Sequence, residues 1–202
     1  MSALTWPEPL YVVDVEGNGA TPPDLVEIAL MPMASGHPQP EGAQSWLIRP
    51  PVPIPHRITR IHGITNAMVE DAPTWQDIAP KVRNLLDGAW IAAHSASVEY
   101  GVLTRHLPGW QPCGVIDTLR LAKATIGGKG FGLDALIERT EIDLADVAGT
   151  RHRAGYDSHA TALLLNRLAF QFESWDALAA KAVPPGMPGQ PPARSEEGDT
   201  LW

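Results

Sequence analysis

The sequence predicts an α/β layered domain on three observations: strand-like segments come first in the chain, strands alternating with helices follow, and a long amphipathic helix closes the series. With 202 residues, 44% of them hydrophobic and 19% charged, the chain can bury one substantial core, which sets aside disordered and fibrous classes.

Residues 10–16, Leu-Tyr-Val-Val-Asp-Val-Glu, read as a strand buried on both faces, because β-branched and aromatic residues dominate and Gly17 and Gly19 end it. Leu25–Met33 and Trp46–Arg49 read as two further strands, separated by the Gly and Pro turn signals of residues 35–40. After the Pro50–Pro55 loop, Thr74 caps a helix through Leu86, with Ile78, Val82, Leu85 and Leu86 at helical spacing and Gly88 as its stop. Trp90–His94 is a short apolar strand, and Ser97–His106 a helix that Pro108 terminates. Gly114–Asp117 is extended, and Asp117 caps a helix over Thr118–Ala124. Past the turn of residues 127–130, Phe131–Arg139 is a short helix. Ala154–Phe172 is the clearest helix, with Leu164, Leu165, Leu168 and Phe172 on one side. From Pro184 the composition cannot pack a core, so residues 1–183 are the expected domain and 184–202 a flexible Pro/Gly-rich acidic tail.

Composition narrows the function. The single cysteine, Cys113, excludes a disulfide scaffold and a zinc site with two thiolates, and it fits a reducing compartment, so the expected location is cytoplasmic. No basic stretch precedes an apolar run at the N-terminus and no 18-residue apolar span occurs, so neither secretion nor a membrane is expected. A net charge of −8 argues against a protein that coats duplex nucleic acid. It leaves open an enzyme that grips one end through bound divalent metals, whose carboxylate ligands are part of the acidic excess.

Asp14 and Glu16 are two apart on a strand and so point to one face, with Val13 and Val15 on the other. Burying both costs several kcal/mol unless a positive group lies between them, and hard cations such as Mg²⁺ or Mn²⁺ prefer oxygen ligands. A solvated strand end with alternating acids fits that pair alone equally well. The last helix adds a second observation: counting back from Leu168 through Leu164 and Thr161 puts Asp157 on the inward stripe, where a leucine would pack. His152 precedes Asp157 by five residues, within reach of the same cleft from a loop. Glu99, in the helix after a buried strand, is unremarkable by itself.

Together, Asp14-Val-Glu16, the run Ile61-His62-Gly63-Ile64-Thr65, the His94–Tyr100 segment, Asp117-Thr118, and His152 followed by Asp157 resemble the DnaQ-like 3′-to-5′ exonucleases of the DEDDh group, over roughly residues 10–170. The resemblance implies a ribonuclease H-like fold, α/β with a central mixed five-stranded sheet flanked by helices, and makes 1–183 an exonuclease domain. It implies two divalent cations, Mg²⁺ or Mn²⁺, with Asp14, Glu16, Asp157 and Glu99 as metal ligands, Asp14 shared, and His152 as general base. Gly17, Asn18, Ile61 and His62 become the expected contacts to the terminal nucleotide, the first two through backbone N–H groups reaching a sugar hydroxyl. This chain departs from the family at Glu99, where Asp is usual, at Ser95, where an upstream Asn is common, and at Gly17 and Asn18, where hydroxyl residues are typical.

The expected activity is metal-dependent release of nucleoside 5′-monophosphates from single-stranded DNA or RNA 3′ ends. The alternative is a catalytically weakened end-binding or complex-assembly module that keeps the fold, motivated by Glu99, Gly17 and the C-terminal tail. The partners implied are single-stranded 3′ ends. Leu201 and Trp202 are either an unconstrained terminus or a docking motif for a replication or repair partner.

Overall fold

A computed structural model describes residues 4–190. Strands β1 (Leu10–Gly17), β2 (Leu25–Ala34), β3 (His37–Pro38), β4 (Gln44–Leu47), β5 (Trp90–Ala93) and β6 (Gly114–Asp117) form one mixed sheet. Its six strands occupy five ranks, because β3 and β4 share the outer edge of β2, β3 pairing at Met33 and Ala34 and β4 at Glu27 to Leu30. The expected five-stranded sheet is thus present with its outer rank split in two. β1 pairs antiparallel with β2 and parallel with β5, and β5 is parallel to β6. The C-terminal ends of β1, β5 and β6 therefore meet at one edge of the sheet, the usual place for ligands in such folds.

The helices are α1 (His56–His62), α2 (Asn66–Val69), α3 (Trp75–Leu86), α4 (Ser97–His106), α5 (Thr118–Thr125), α6 (Leu133–Arg139), α7 (Ala154–Ala169) and α8 (Trp175–Ala182). Helices α1, α2 and α8 lie in segments for which the sequence reading proposed no element. α1 begins directly after Pro55, where a fixed φ favours a helix start, and Ser174 caps α8 by accepting from the Ala177 N–H. Thr74 and Asp77 form the capping box that starts α3, and Asp117 accepts from the Arg120 N–H at 3.1 Å, as its cap reading requires.

Strand periodicity divides the core. Leu10, Val12, Met31 and Met33 face α5, α6, α7 and α8, whereas Val13, Ile28, Leu30 and Ile91 face α3 and α4. Trp90 lies across β5 against Gly114, where an added Cβ would meet its ring at 2.2 Å, so that position requires glycine. The stretch expected to be tail starts differently: Met187 packs on the core and the Val115 N–H donates to the Pro188 carbonyl at 3.1 Å, so residues 184–190 lie against the β6 edge. The remainder of that stretch, including Leu201 and Trp202, lies outside the described residues.

Candidate active site

The parity that directs Leu10 and Val12 toward α7 directs Asp14 and Glu16 the same way, at the C-terminal end of β1. Asp157, in the first turn of α7, comes down onto them from above. Among the described residues, these three acids converge, each offering a carboxylate oxygen within 4.8 Å of the others. The juxtaposition joins residues far apart in sequence.

The cluster is electrostatically unbalanced. Burial, followed by the charges of Glu99, Glu16, Asp157 and Glu27, holds the Asp14 carboxyl well above its ordinary value of 3.8. Burial first, then Asp157 and Glu27, raises Glu16 from 4.5 to about 8, with Arg153 opposing. Asp157 is also raised by burial, although the His152 N–H and the charges of His152 and Arg151 pull it down.

Glu99 stands beside this group, outside the trio. It is 6% exposed on the first turn of α4, its Oε2 has no hydrogen-bond partner, and burial pushes it up to about 8. An orphaned buried carboxylate oxygen next to three converging acids is a donor set that fits hard divalent cations, the fourth acid included. His152 is exposed at the mouth, in a left-handed backbone conformation of φ 61, with its N–H donating to Asp157 Oδ2 at 3.0 Å. Its neighbours Arg151 and Arg153 are each committed elsewhere, to Asp134 and Glu27.

The residues expected to meet a nucleotide divide. Ile61 is 56% exposed on α1 and free to stack against a ligand. His62, next to it, is 3% exposed; Nδ1 accepts from the Ile64 N–H at 3.0 Å, and burial lowers its pKa. Its ring does not face solvent, because consecutive helix positions point about 100° apart. Asn18 is 1% exposed, Oδ1 accepting from the Ala20 and Asp24 N–H groups of its own turn and Nδ2 donating to Asp24 and to the Val52 carbonyl of the neighbouring loop. Its backbone N–H donates to the Asp24 carbonyl at 2.9 Å. Both donor groups of Asn18, the backbone N–H and Nδ2, are thus engaged within the protein, by Asp24 and Val52. Gly17 ends β1 at an irregularity in the ladder, beside Pro23.

His94 and Ser95, from the family-like segment, are structural. The His94 ring bridges the Thr118 hydroxyl and the Phe131 carbonyl, each at 2.9 Å, and the Ser95 N–H donates to Asp117. Sequence reasoning left Glu27 without a role, yet it makes the strongest polar contact near the site, a bidentate pair with Arg153 at 3.0 and 2.6 Å. The available signal was a lone acid inside an otherwise apolar strand, Leu-Val-Glu-Ile-Ala-Leu.

A mixed sheet with acids at the C-terminal end of its first strand, closed by an acid from the last long helix, is the arrangement of the ribonuclease H-like fold. The comparisons place it further: the family described as Exonuclease (RNase_T) matches residues 11–165, and the chain belongs to this DnaQ-like exonuclease family. The chain is 33% identical to exodeoxyribonuclease 10 of Escherichia coli strain K12 over 157 residues, covering 77% of this chain and 66% of that protein. It is 34% identical over 164 residues to a DNA polymerase III subunit epsilon-like protein of Rhodobacter capsulatus, covering 78% of this chain and 23% of that one. The solved structure of exonuclease X in complex with 5′ overhanging duplex DNA superposes with a TM-score of 0.69 at 31% identity, over 80% of this chain and 92% of that chain. The chain thus spans less than two thirds of the curated relatives' length, a quarter or less in the Rhodobacter case. Among the described residues no helix is long and apolar enough to cross a membrane.

Proposed function

We propose that the protein is a metal-dependent 3′-to-5′ exonuclease that releases nucleoside 5′-monophosphates from single-stranded DNA or RNA ends. The observation that carries this reading is the convergence of Asp14, Glu16 and Asp157 within 4.8 Å, with the unpartnered Glu99 alongside. Asp14, Glu16, Asp157 and Glu99 would hold two divalent cations, Mg²⁺ or Mn²⁺. Bound there, the cations would offset the clustered negative charge, acidify a water and stabilise the charge that develops on the phosphodiester.

The chain's own groups account for the rest of the reaction. His152, exposed at the mouth of the cluster, accepts a proton from the attacking water as its oxygen bonds to phosphorus. The phosphorus bond to the 3′ oxygen of the penultimate residue breaks, and the proton ends on that oxygen. Asp157 holds the His152 backbone through the 3.0 Å bond, so one residue both joins the acid cluster and orients the base. Ile61, exposed on α1, offers an apolar face to the terminal base, and Gly17 lets the strand end approach closely. Residues 1–183 are the proposed catalytic unit, with a replication or repair partner reached through the C-terminal segment.

The test uses matched DNA and RNA oligonucleotides, single and double stranded, labelled at the 5′ end and incubated with Mg²⁺ or Mn²⁺. Shortening from the 3′ end that Asp14→Ala abolishes supports the reading; intact substrate with wild-type protein overturns it. The position of Glu99 outside the trio favours weighing a weakened end-binding module as the second reading. Glu99→Asp separates the two. A detuned enzyme keeps or gains rate with the shorter acid, whereas a binding module retains oligonucleotides without shortening them in either form.

A further inference from the structure

Glu27 is directly opposite Glu16 in the β1–β2 register and 3% exposed, yet it is not one of the three converging acids. Its oxygens accept three hydrogen bonds from two consecutive residues. Arg153 supplies Nε at 3.0 Å and Nη2 at 2.6 Å, and the Ala154 backbone N–H reaches Oε2 at 2.8 Å. Ala154 opens α7, so this N–H has no partner within the helix, and Glu27 supplies one from the sheet. A fork-to-fork pair fixes direction as well as distance, which a single point charge does not.

The segment held in this way carries the chemistry. His152 immediately precedes the clamped pair, in a left-handed conformation that non-glycine residues keep only when their surroundings enforce it. Its N–H donates to Asp157 Oδ2 at 3.0 Å, and the Asp157 N–H donates to the Arg153 carbonyl at 3.0 Å. Residues 152–157 thus form a closed loop that Glu27 ties to the sheet by hydrogen bonds. β2, pinned through Val26 against Ile54, Ile64 and Val69 on the opposite face, is a rigid anchor.

We propose that Glu27 is a positioning residue of the site: through Arg153 and Ala154 it sets where the His152 imidazole stands relative to the carboxylates of Asp14, Glu16 and Asp157. This rests on His152 acting as the proton acceptor. The pair has a second effect, because the Arg153 charge is held on Glu27 and outside the converging trio of acids.

The test uses the full chain with Glu27→Gln, which keeps an acceptor for Ala154 and removes the ionic fork, and Arg153→Lys, which keeps the charge and removes the fork. Both variants are expected to lower kcat by about 10–100-fold, the range for groups that orient a site residue from behind. KM and Mn²⁺ affinity stay within about twofold of wild type. Adding His152→Ala to Glu27→Gln lowers kcat no further than His152→Ala alone, because both act through one imidazole. Losses that multiply mark a merely structural anchor and overturn the proposal. Amide hydrogen exchange supplies a readout independent of turnover and metal: at His152 and Asp157, measured against Leu164 in the same helix, it is expected to quicken by about tenfold or more in Glu27→Gln. Unchanged protection at those two amides overturns the proposal even when wild-type protein cleaves normally. Quickened exchange in a wild-type background that cleaves nothing overturns the nuclease reading and the His152 role together.

Discussion

Under α7, one face of β1 and β2 contains two regions that bury their side chains on opposite terms. At one end Leu10, Val12, Met31 and Met33 pack against Leu164, Leu165 and Leu168 and gain from leaving water. At the other, Asp14 and Glu16 occupy the same strand parity beneath the same helix, and burial drives both toward their protonated forms. The two ends are separated by a single two-residue step along β1, from Val12 to Asp14. A strand does not distinguish the regions by geometry; only the side-chain chemistry does. The first region stabilises the fold, and the second sets the fold's stability against a charge cluster that is relieved by protons or cations.

The sharpest way to break that contrast is to substitute one residue on each side. Asp14→Asn is expected to cut turnover by roughly 10³-fold or more, several kcal/mol of lost transition-state stabilisation, as measured by oligonucleotide cleavage. The same variant should melt at a higher temperature than wild type in chelator at pH 8, since it removes a buried acid that its neighbours oppose. A lower melting temperature would show that the cluster is not under electrostatic load. Leu164→Ala should do the reverse, destabilising the fold by about 2–5 kcal/mol in urea unfolding while kcat of the remaining folded fraction holds. Loss of kcat in folded Leu164→Ala would mean that the apolar half tunes the site directly.

A smaller effect is expected from pH. Glu16 and Glu99 are both raised from 4.5 to about 8 in the folded protein, so the native state binds more protons than the unfolded chain between those values. Their contribution to stability is complete below the unfolded value and is lost as pH rises through about 8. In chelator the melting temperature should therefore fall across that window, and Mn²⁺ should flatten the fall by taking the place of the protons. A melting temperature that rises with pH in chelator would contradict this assignment.

Much of the site was legible because its signals are local. The period of two puts Asp14 and Glu16 on one face, and the helical stripe puts Asp157 on the inward face of α7. Element boundaries followed caps, as at Thr74 and Asp117. Helix α8 passed unread because its alanines give little apolar contrast, and the short α1 and α2 gave too few turns for a period to emerge. Glu99 was placed near the acids by family order, yet its position outside the trio depends on where α4 starts relative to β1, which the pattern does not encode.

The sequence by itself determined which residues of β1 and α7 share a face and where the capped helices α3 and α5 begin. Those properties follow from backbone periods and capping, which act within a few residues. The tertiary structure decided the pairings: that Glu27 clamps Arg153 from 126 positions away, that Asn18 ties its turn to the Val52 carbonyl, and that His62 is buried while Ile61 is exposed. A partner across that distance is selected by strand register and helix docking, and local propensity carries no term for either.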